Sequence, residues 1–219
     1  VVDITPEMIQ RSVPGYQTII NHTGELADRF VQQDSHIYDL GCSLGASTLA
    51  IRERIEGRNA RIFAVDNSQA MLDKLATILQ TQPSDTDTQL ITNDICDIQI
   101  TNASLVVLKF TLQFVPLARR SELISCIYKG LNPNGCLIIS EKLHFEPESL
   151  NTLLTELHHQ FKRDQGYSDL EISQKRDAID KVLMPESLST HIQRLKDCGF
   201  KSASPWFQCY NFGSLIAIK

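Results

Sequence analysis

No apolar run in this chain approaches the roughly 18 residues a membrane-spanning helix needs, so a helical membrane protein is excluded by the pattern. No two of its six cysteines form a CxxC pair: Cys42, Cys96, Cys126, Cys136, Cys198 and Cys209 are scattered, mostly among apolar neighbours. That spacing favours buried, reduced thiols in a cytoplasmic protein over disulfides or a zinc site. Positive charge is also scarce, with 21 Lys and Arg against 26 Asp and Glu and a net charge of −5. A surface that itself grips a polyanion such as tRNA is therefore not expected, and a small-molecule substrate fits better. Internal repeats and low-complexity segments are absent. The start at Val1-Val2-Asp3, with neither Met nor a basic-then-apolar leader, sets the expectation of a chain that is not a secretory precursor and whose natural form continues upstream of Val1. What is present, 42% hydrophobic and 21% charged residues over 219 positions, suits one domain with a core that needs no staples.

The most informative stretch is Asp39 to Ala46, DLGCSLGA, which follows the apolar lead Ile37-Tyr38 and precedes a helical segment. Gly41 and Gly45 carry no Cβ, so the backbone can turn sharply from strand to helix and let a ligand press against it. The unpaired N–H groups opening the next helix can hold an anionic group. Asp66 closes the following apolar run, Ile62 to Val65, about 20 residues beyond Gly45, near the spacing at which an acid accepts hydrogen bonds from ribose hydroxyls. The loop is GxxxG preceded by an acid, not the GxGxxG that brings backbone onto a pyrophosphate. A phosphate-free nucleoside such as S-adenosylmethionine is favoured over a dinucleotide. GxxxG alone would equally suit any tight strand-to-helix turn; the two acids in register tip the reading.

Apolar runs at Ile37–Leu40, Ile62–Val65, Gln89–Thr92, Leu105–Leu108 and Cys136–Ser140 predict short buried strands. Between them Ala46–Ile55, Gln69–Leu79 and Arg119–Tyr128 predict helices, with Ser68 as an N-cap and Pro116 in the approach to the third. Alternation of this kind builds a parallel sheet with helices on both faces. Asn132 to Gly135 reads as a turn before the fifth strand. Residues 1–30 read as a helical cap. Residues 147–198 are helical in pattern without a strand signal, an insertion expected to lie over the strand ends as a lid or partner surface. Ala203–Tyr210 and Ser214–Ile218, separated by Asn211-Phe-Gly213, predict a closing hairpin.

A Rossmann-like α/β fold with seven strands ending in a hairpin, an acidic glycine loop after the first and an acid after the second resembles the class I S-adenosylmethionine-dependent methyltransferases. More specific stretches are Met8–Tyr16 (MIQRSVPGY), Tyr38–Ala46, Asp66-Asn-Ser68, Phe110–Phe114 (FTLQF), His158–Arg163, Gly166-Tyr167, Leu170–Arg176 (LEISQKR) and Trp206–Ser214. Together they resemble the carboxy-S-adenosyl-L-methionine synthase family from the N-terminal segment to the last strand. The resemblance implies that S-adenosylmethionine and prephenate give carboxy-S-adenosylmethionine and phenylpyruvate. The product would serve a separate enzyme that converts the tRNA wobble uridine to its oxyacetyl form. Loss of CO2 and hydroxide from prephenate would let the methyl carbon beside the sulfonium lose a proton and capture the CO2. The protein's task is then enclosure and charge placement.

The resemblance further implies ligand contacts at Tyr16, Gly41, Cys42, Ser43, Asp66, Asn67, Asp94, Ile95, Lys109 and Arg176. Asp94 can accept from an adenine amino group while the Ile95 N–H reaches a ring nitrogen. Tyr16 can close over the methionine end through its hydroxyl, although a tyrosine in an N-terminal helix is also an ordinary packing residue. Arg176 is the implied catalytic residue, because a guanidinium matches a carboxylate in two parallel bonds and could select the carboxylated molecule. By spacing alone Lys162, Arg163, Lys175 and Arg176 would pass for a solvated helix face beside Asp164, Asp169 and Glu171. At Lys109 the family pattern carries Asn; an ammonium there opposes the sulfonium unless its stem turns toward a carboxylate. No metal is expected, since His158 and His159 diverge by about 100° on a helix and cannot easily share an ion. A homodimer through Leu150, Leu153, Leu154 and Leu157 is expected. An ordinary methyltransferase acting on a small acid or tRNA, and a non-catalytic S-adenosylmethionine-binding subunit, remain open on these residues.

Overall fold

The computed structural model describes residues 6–179 and 182–219, with side chains described for 7–174 and 182–219. Two helices, α1 (Pro6–Ser12) and α2 (Tyr16–Phe30), precede β1 (His36–Leu40). Then come α3 (Ala46–Arg52), β2 (Arg61–Asp66), α4 (Gln69–Thr81), β3 (Asp87–Thr92) and β4 (Ala103–Lys109). A 3-10 turn at Leu112–Phe114 leads into α5 (Leu117–Gly130) and β5 (Leu131–Lys142). Three helices follow, α6 (Glu148–Asp164), α7 (Asp169–Ile179) and α8 (Leu188–Asp197), before β6 (Ser202–Cys209) and β7 (Phe212–Ile218).

The strands form one seven-stranded sheet in the order β3-β2-β1-β4-β5-β7-β6. The first five are parallel, and β7 runs antiparallel to both β5 and β6. The apolar runs are buried on both faces because alternate residues point to opposite sides. On one side Tyr38, Leu40, Val106 and Leu108 pack with Ile124 and Ile127 of α5 and Leu195 of α8. On the other, Ile37, Ile62, Leu105 and Val107 pack with Ala27 of α2 and Ile51 of α3. The order reverses between β1 and β4, which opens a crevice at their carboxyl ends, the usual ligand position in an open α/β sheet.

The Asn132–Gly135 stretch differs from its reading as a turn ahead of a strand. It lies inside β5: Leu131 pairs with Ala103 and the next pair is Cys136 with Leu105, so these residues bulge out of the ladder. Asn134 takes a left-handed φ of 62°, a conformation asparagine tolerates.

Candidate functional site

After Leu40 the chain turns through Gly41 (φ 77°), Ser43 (φ 50°) and Gly45 (φ 76°) into α3. A Cβ on Gly41 would run into Thr111 and one on Gly45 into Leu75, so close packing as well as the turn requires glycine. The N–H groups of Gly41 and Cys42 both donate to the Val65 carbonyl, at 2.8 and 3.0 Å, tying the loop to β2. At the end of β2, Asp66 accepts the Ser43 N–H on one oxygen and the Ser68 N–H on the other, each at 2.9 Å. A carboxylate offers about four lone-pair sites, so about two remain for outside donors such as a diol. Ser68 sits at the N-cap of α4, but its side chain makes no cap bond there.

Asp39 has a different task from Asp66. It is buried at 1% exposure and accepts the Thr48 N–H at 3.1 Å and the Thr48 hydroxyl at 2.7 Å. The anion read at the opening of this helix is therefore supplied in part by the chain itself. Burial lifts the Asp39 carboxyl above its ordinary range, with Lys109 pulling the other way. Burial, then Asp39 and Asp66, likewise raise the Cys42 thiol far above the ordinary cysteine range, which keeps it protonated and inert as a nucleophile at neutral pH.

Lys109 closes β4, and its ammonium donates to the Tyr16 hydroxyl at 3.1 Å while lying 5.0 Å from the centre of that ring. Phe110 holds a left-handed φ of 56°, rare for a bulky side chain and a form of strain that collects at functional sites. Its N–H donates to the Ser140 carbonyl at 2.6 Å. Over the ends of β1, β4 and β5 lies a cavity of about 500 Å³, walled on one side by the glycine loop and on the other by α1, α2 and α6.

Of the expected contact residues, Tyr16, Gly41, Cys42, Ser43 and Lys109 line this cavity together. Asp66 joins them through its bond to Ser43. Asn67, Asp94 and Ile95 are not among the residues that line it. Asn67 is exposed; Asp94 accepts the Cys96 N–H at 2.8 Å and stands 3.7 Å from Arg119; the Ile95 side chain is buried in the core. The Asn93 N–H reaches the Asp66 carbonyl at 3.1 Å, which holds the 93–95 loop beside Asp66. Arg176 falls within α7, and its side chain lies outside the described residues.

Sequence reasoning did not find the cavity's other wall, where Gln113, Lys142, His158 and Lys162 also line the space. Glu141 is fully buried and accepts the N–H groups of Leu112 and Gln113, each at 2.9 Å; burial pushes its carboxyl up to about 8. Arg120, 0% exposed, donates to the carbonyls of Gln113 (3.1 Å), Met184 (2.9 Å) and Val115 (2.9 Å) and pairs with Glu186 at 2.5 Å. Those contacts fix the 3-10 turn and bring Leu183-Met184 against it. The signal available was Glu141-Lys142, a charged pair directly after an apolar parallel strand. His158–Arg163 carries part of the family likeness, but nothing in it marks His158 or Lys162 as cavity residues, because a helix facing a cavity carries the same residue types as one facing water.

The N-terminal helices close the cavity through specific ties. The Ser12 carbonyl is bonded to His158 Nε2 at 2.8 Å, and the Ser12 and Tyr167 hydroxyls lie 3.0 Å apart. Arg11 stacks over the Tyr167 ring at 4.8 Å and donates to the Gln165 carbonyl at 2.8 Å. Burial first, then Lys162, lower the His158 imidazole to about 3, so it stays neutral. Among the described residues, no group of three His, Cys, Asp or Glu is placed to hold a metal ion. Nor is any of their helices long and apolar enough to cross a membrane.

Residues 37–135 match the methyltransferase domain family. The whole chain is similar to carboxy-S-adenosyl-L-methionine synthase of Shewanella baltica, with 56% identity over 219 residues covering 100% of this chain and 90% of that protein. The synthase of Shewanella oneidensis is 55% identical with the same coverage. Among solved structures, magnesium protoporphyrin IX methyltransferase from Synechocystis with bound SAH superposes with a TM-score of 0.67 at 16% identity. That match covers 99% of this chain and 89% of the other and speaks to the fold.

Proposed function

The chain belongs to the carboxy-S-adenosyl-L-methionine synthase family, and on that premise we propose that it carboxylates the methyl carbon of S-adenosyl-L-methionine with prephenate as donor, releasing phenylpyruvate. The observation that carries this reading is the 56% identity over the full chain. The cavity supports it, because a loop suited to a nucleoside faces a wall of lysines across one enclosed space.

When bound, S-adenosyl-L-methionine supplies a methyl carbon acidified by the adjacent sulfonium. The residues of the chain bind, orient and exclude water. Asp66, with two lone-pair sites unused by Ser43 and Ser68, takes the ribose hydroxyls. Asn67 stands beside it, and Asp94 with the Ile95 N–H takes the adenine edge. Gly41, Cys42 and Ser43 give the methionine end a close backbone surface. Tyr16 closes over that end from α2, its hydroxyl held by Lys109. The ammonium of Lys109 has turned onto Tyr16 and is felt by the Asp39 carboxyl, which offsets its repulsion of the sulfonium. Arg176 pairs with the new carboxylate and so separates carboxylation from methylation. Enclosure by α1, α2 and α6 keeps CO2 in and water out.

The product feeds a separate enzyme that converts the tRNA wobble uridine to its oxyacetyl form, and the chain itself binds no nucleic acid. It works as a homodimer in the cytoplasm, pairing through the face of α6 on which Leu150, Leu153 and Leu157 are 37%, 50% and 38% exposed. The test is incubation with S-adenosyl-L-methionine and prephenate, read by mass spectrometry. A product heavier than S-adenosyl-L-methionine by one CO2, formed along with phenylpyruvate, is expected. Binding of S-adenosyl-L-methionine without that product would sink the reading.

A further inference from the structure

A cavity that held only a nucleoside cation would gain nothing from cationic walls. Yet Lys109, Lys142 and Lys162 all line this one, and among the described residues that line it there is no Asp or Glu. The chain as a whole carries a net charge of −5, so three lysines on one wall run against its average composition. The lysines come from separate elements: Lys109 from the end of β4, Lys142 from the end of β5 and Lys162 from α6. Lys162 is only 9% exposed, so its position against the cavity is set by packing on both sides of α6.

Lys142 is also held in place. Its backbone N–H donates to the Gln113 side-chain oxygen at 2.9 Å, and the Gln113 backbone is anchored by Glu141 and Arg120. Beneath the lysines runs a chain of rings that also line the space. Tyr16 and Phe110 are 6.5 Å apart, Phe110 and Phe212 5.9 Å, and Phe212 and His158 4.8 Å. Neutral His158 extends this floor as one more flat ring. Inorganic phosphate would match the charge of this wall but leave the ring floor unused; an apolar ring would do the reverse.

We infer that this half of the cavity is the seat of the carboxyl donor, with Lys142 and Lys162 holding the carboxylates of a compact, ring-bearing dianion and Phe110 and Phe212 packing on its ring. Two carboxylates that leave one ring carbon, one directly and one at the end of a pyruvyl arm, need two cations fixed on different elements, which β5 and α6 provide. The assignment rests on the function proposed above and names the residues that would give it its second substrate.

The test compares the full-chain enzyme with Lys142→Met and Lys162→Met, using Lys162→Arg as the charge-retaining control. The KM for prephenate is measured at saturating S-adenosyl-L-methionine, the Ki of phenylpyruvate against prephenate, and the Kd of each from calorimetry. Each Met variant is expected to raise the prephenate KM and Kd about tenfold or more, and the variant that loses the partner of the pyruvyl carboxylate to raise the phenylpyruvate Ki and Kd as well, since phenylpyruvate keeps only that carboxylate. The Kd for S-adenosyl-L-methionine should change less than about twofold, and Lys162→Arg should restore most of the loss. Prephenate and phenylpyruvate constants unchanged in both Met variants would overturn the inference, as would equal weakening toward S-adenosyl-L-methionine. Should Lys162→Met fail to fold, Lys142→Met decides on the same criteria. If the wild-type chain binds S-adenosyl-L-methionine but yields no carboxylated product, the proposed function falls. Calorimetry of phenylpyruvate on wild type and variants then still decides the seat: lysine-dependent binding supports it, and no binding overturns it.

Discussion

Replacing Asp66 by Asn separates the two tasks assigned to that carboxylate. In the structure each oxygen accepts one backbone N–H at 2.9 Å, from Ser43 and from Ser68. An asparagine amide has one accepting oxygen and a donating NH2, so one of those N–H groups would face another donor. A hydrogen bond to a charged group is worth about 1.5–3 kcal/mol. Because Asp66 is half-buried and water can replace part of the loss, the stability cost should be about 1 kcal/mol. In a chain of 219 residues that corresponds to a Tm lower by about 2–4 °C. The cost to the ligand is larger. The two remaining lone-pair sites change from charged to neutral acceptors or vanish, a loss of about 1 kcal/mol for each ribose hydroxyl. The Kd for S-adenosyl-L-methionine should then rise roughly thirtyfold. Isothermal calorimetry and a thermal melt on the same preparation measure both. A Kd within about threefold of wild type alongside the expected Tm drop would refute the reasoning; Asp66 would then be only the clamp that holds Ser43 in its left-handed turn.

Other perturbations probe the remaining charges. Lys109→Asn should keep or improve affinity for S-adenosyl-L-methionine, because a cation leaves the cavity while Tyr16 remains; a large loss by calorimetry would make the ammonium a ligand. Arg176→Ala should weaken carboxy-S-adenosyl-L-methionine selectively, and equal weakening toward both forms would contradict its role. Two buried histidines set a pH dependence. Burial lowers His158 to about 3 and His191 to about 4, from 6.5. Between those values the unfolded chain binds more protons than the folded one, so the stability they contribute is complete above about pH 6.5 and is lost as pH falls toward 4. Each should cost on the order of 1–2 kcal/mol by pH 5. Glu141, pushed up to about 8 by burial, gains stability as pH falls over the same range and opposes the histidines, so urea melts at pH 7 and pH 5 compare variant with wild type. His158→Gln and His191→Gln should each lose less stability on acidification than wild type, and a pH dependence equal to wild type in both would contradict this.

The alternation of strands and helices was legible because each parallel strand is short, apolar and buried on both faces, and each connecting helix repeats on its own period. Expected and observed limits differ mainly at element ends, as where the helix read as Ala46–Ile55 stops at Arg52. Asn132 to Gly135 carries every mark of a turn. Pairing of Leu131 with Ala103 puts it inside β5, and that pairing depends on a neighbour about 30 positions away. Asp39 and Asp66 looked like partners in one motif. The fold gives the first to Thr48 and leaves only the second with capacity to spare.

The sequence by itself determined the strand-turn-helix at DLGCSLGA, the acid at the end of the next strand, the closing hairpin and the family likeness, since all of these are set by residue type and spacing within a short stretch of chain. Only the tertiary structure decided that Tyr16, Lys109, Lys142, His158 and Lys162 share one cavity with that loop. It also decided that the His158 ring stays neutral and that Asp39 serves the fold. Those outcomes depend on burial and on groups brought together from separate elements, and neither can be read from spacing along the chain.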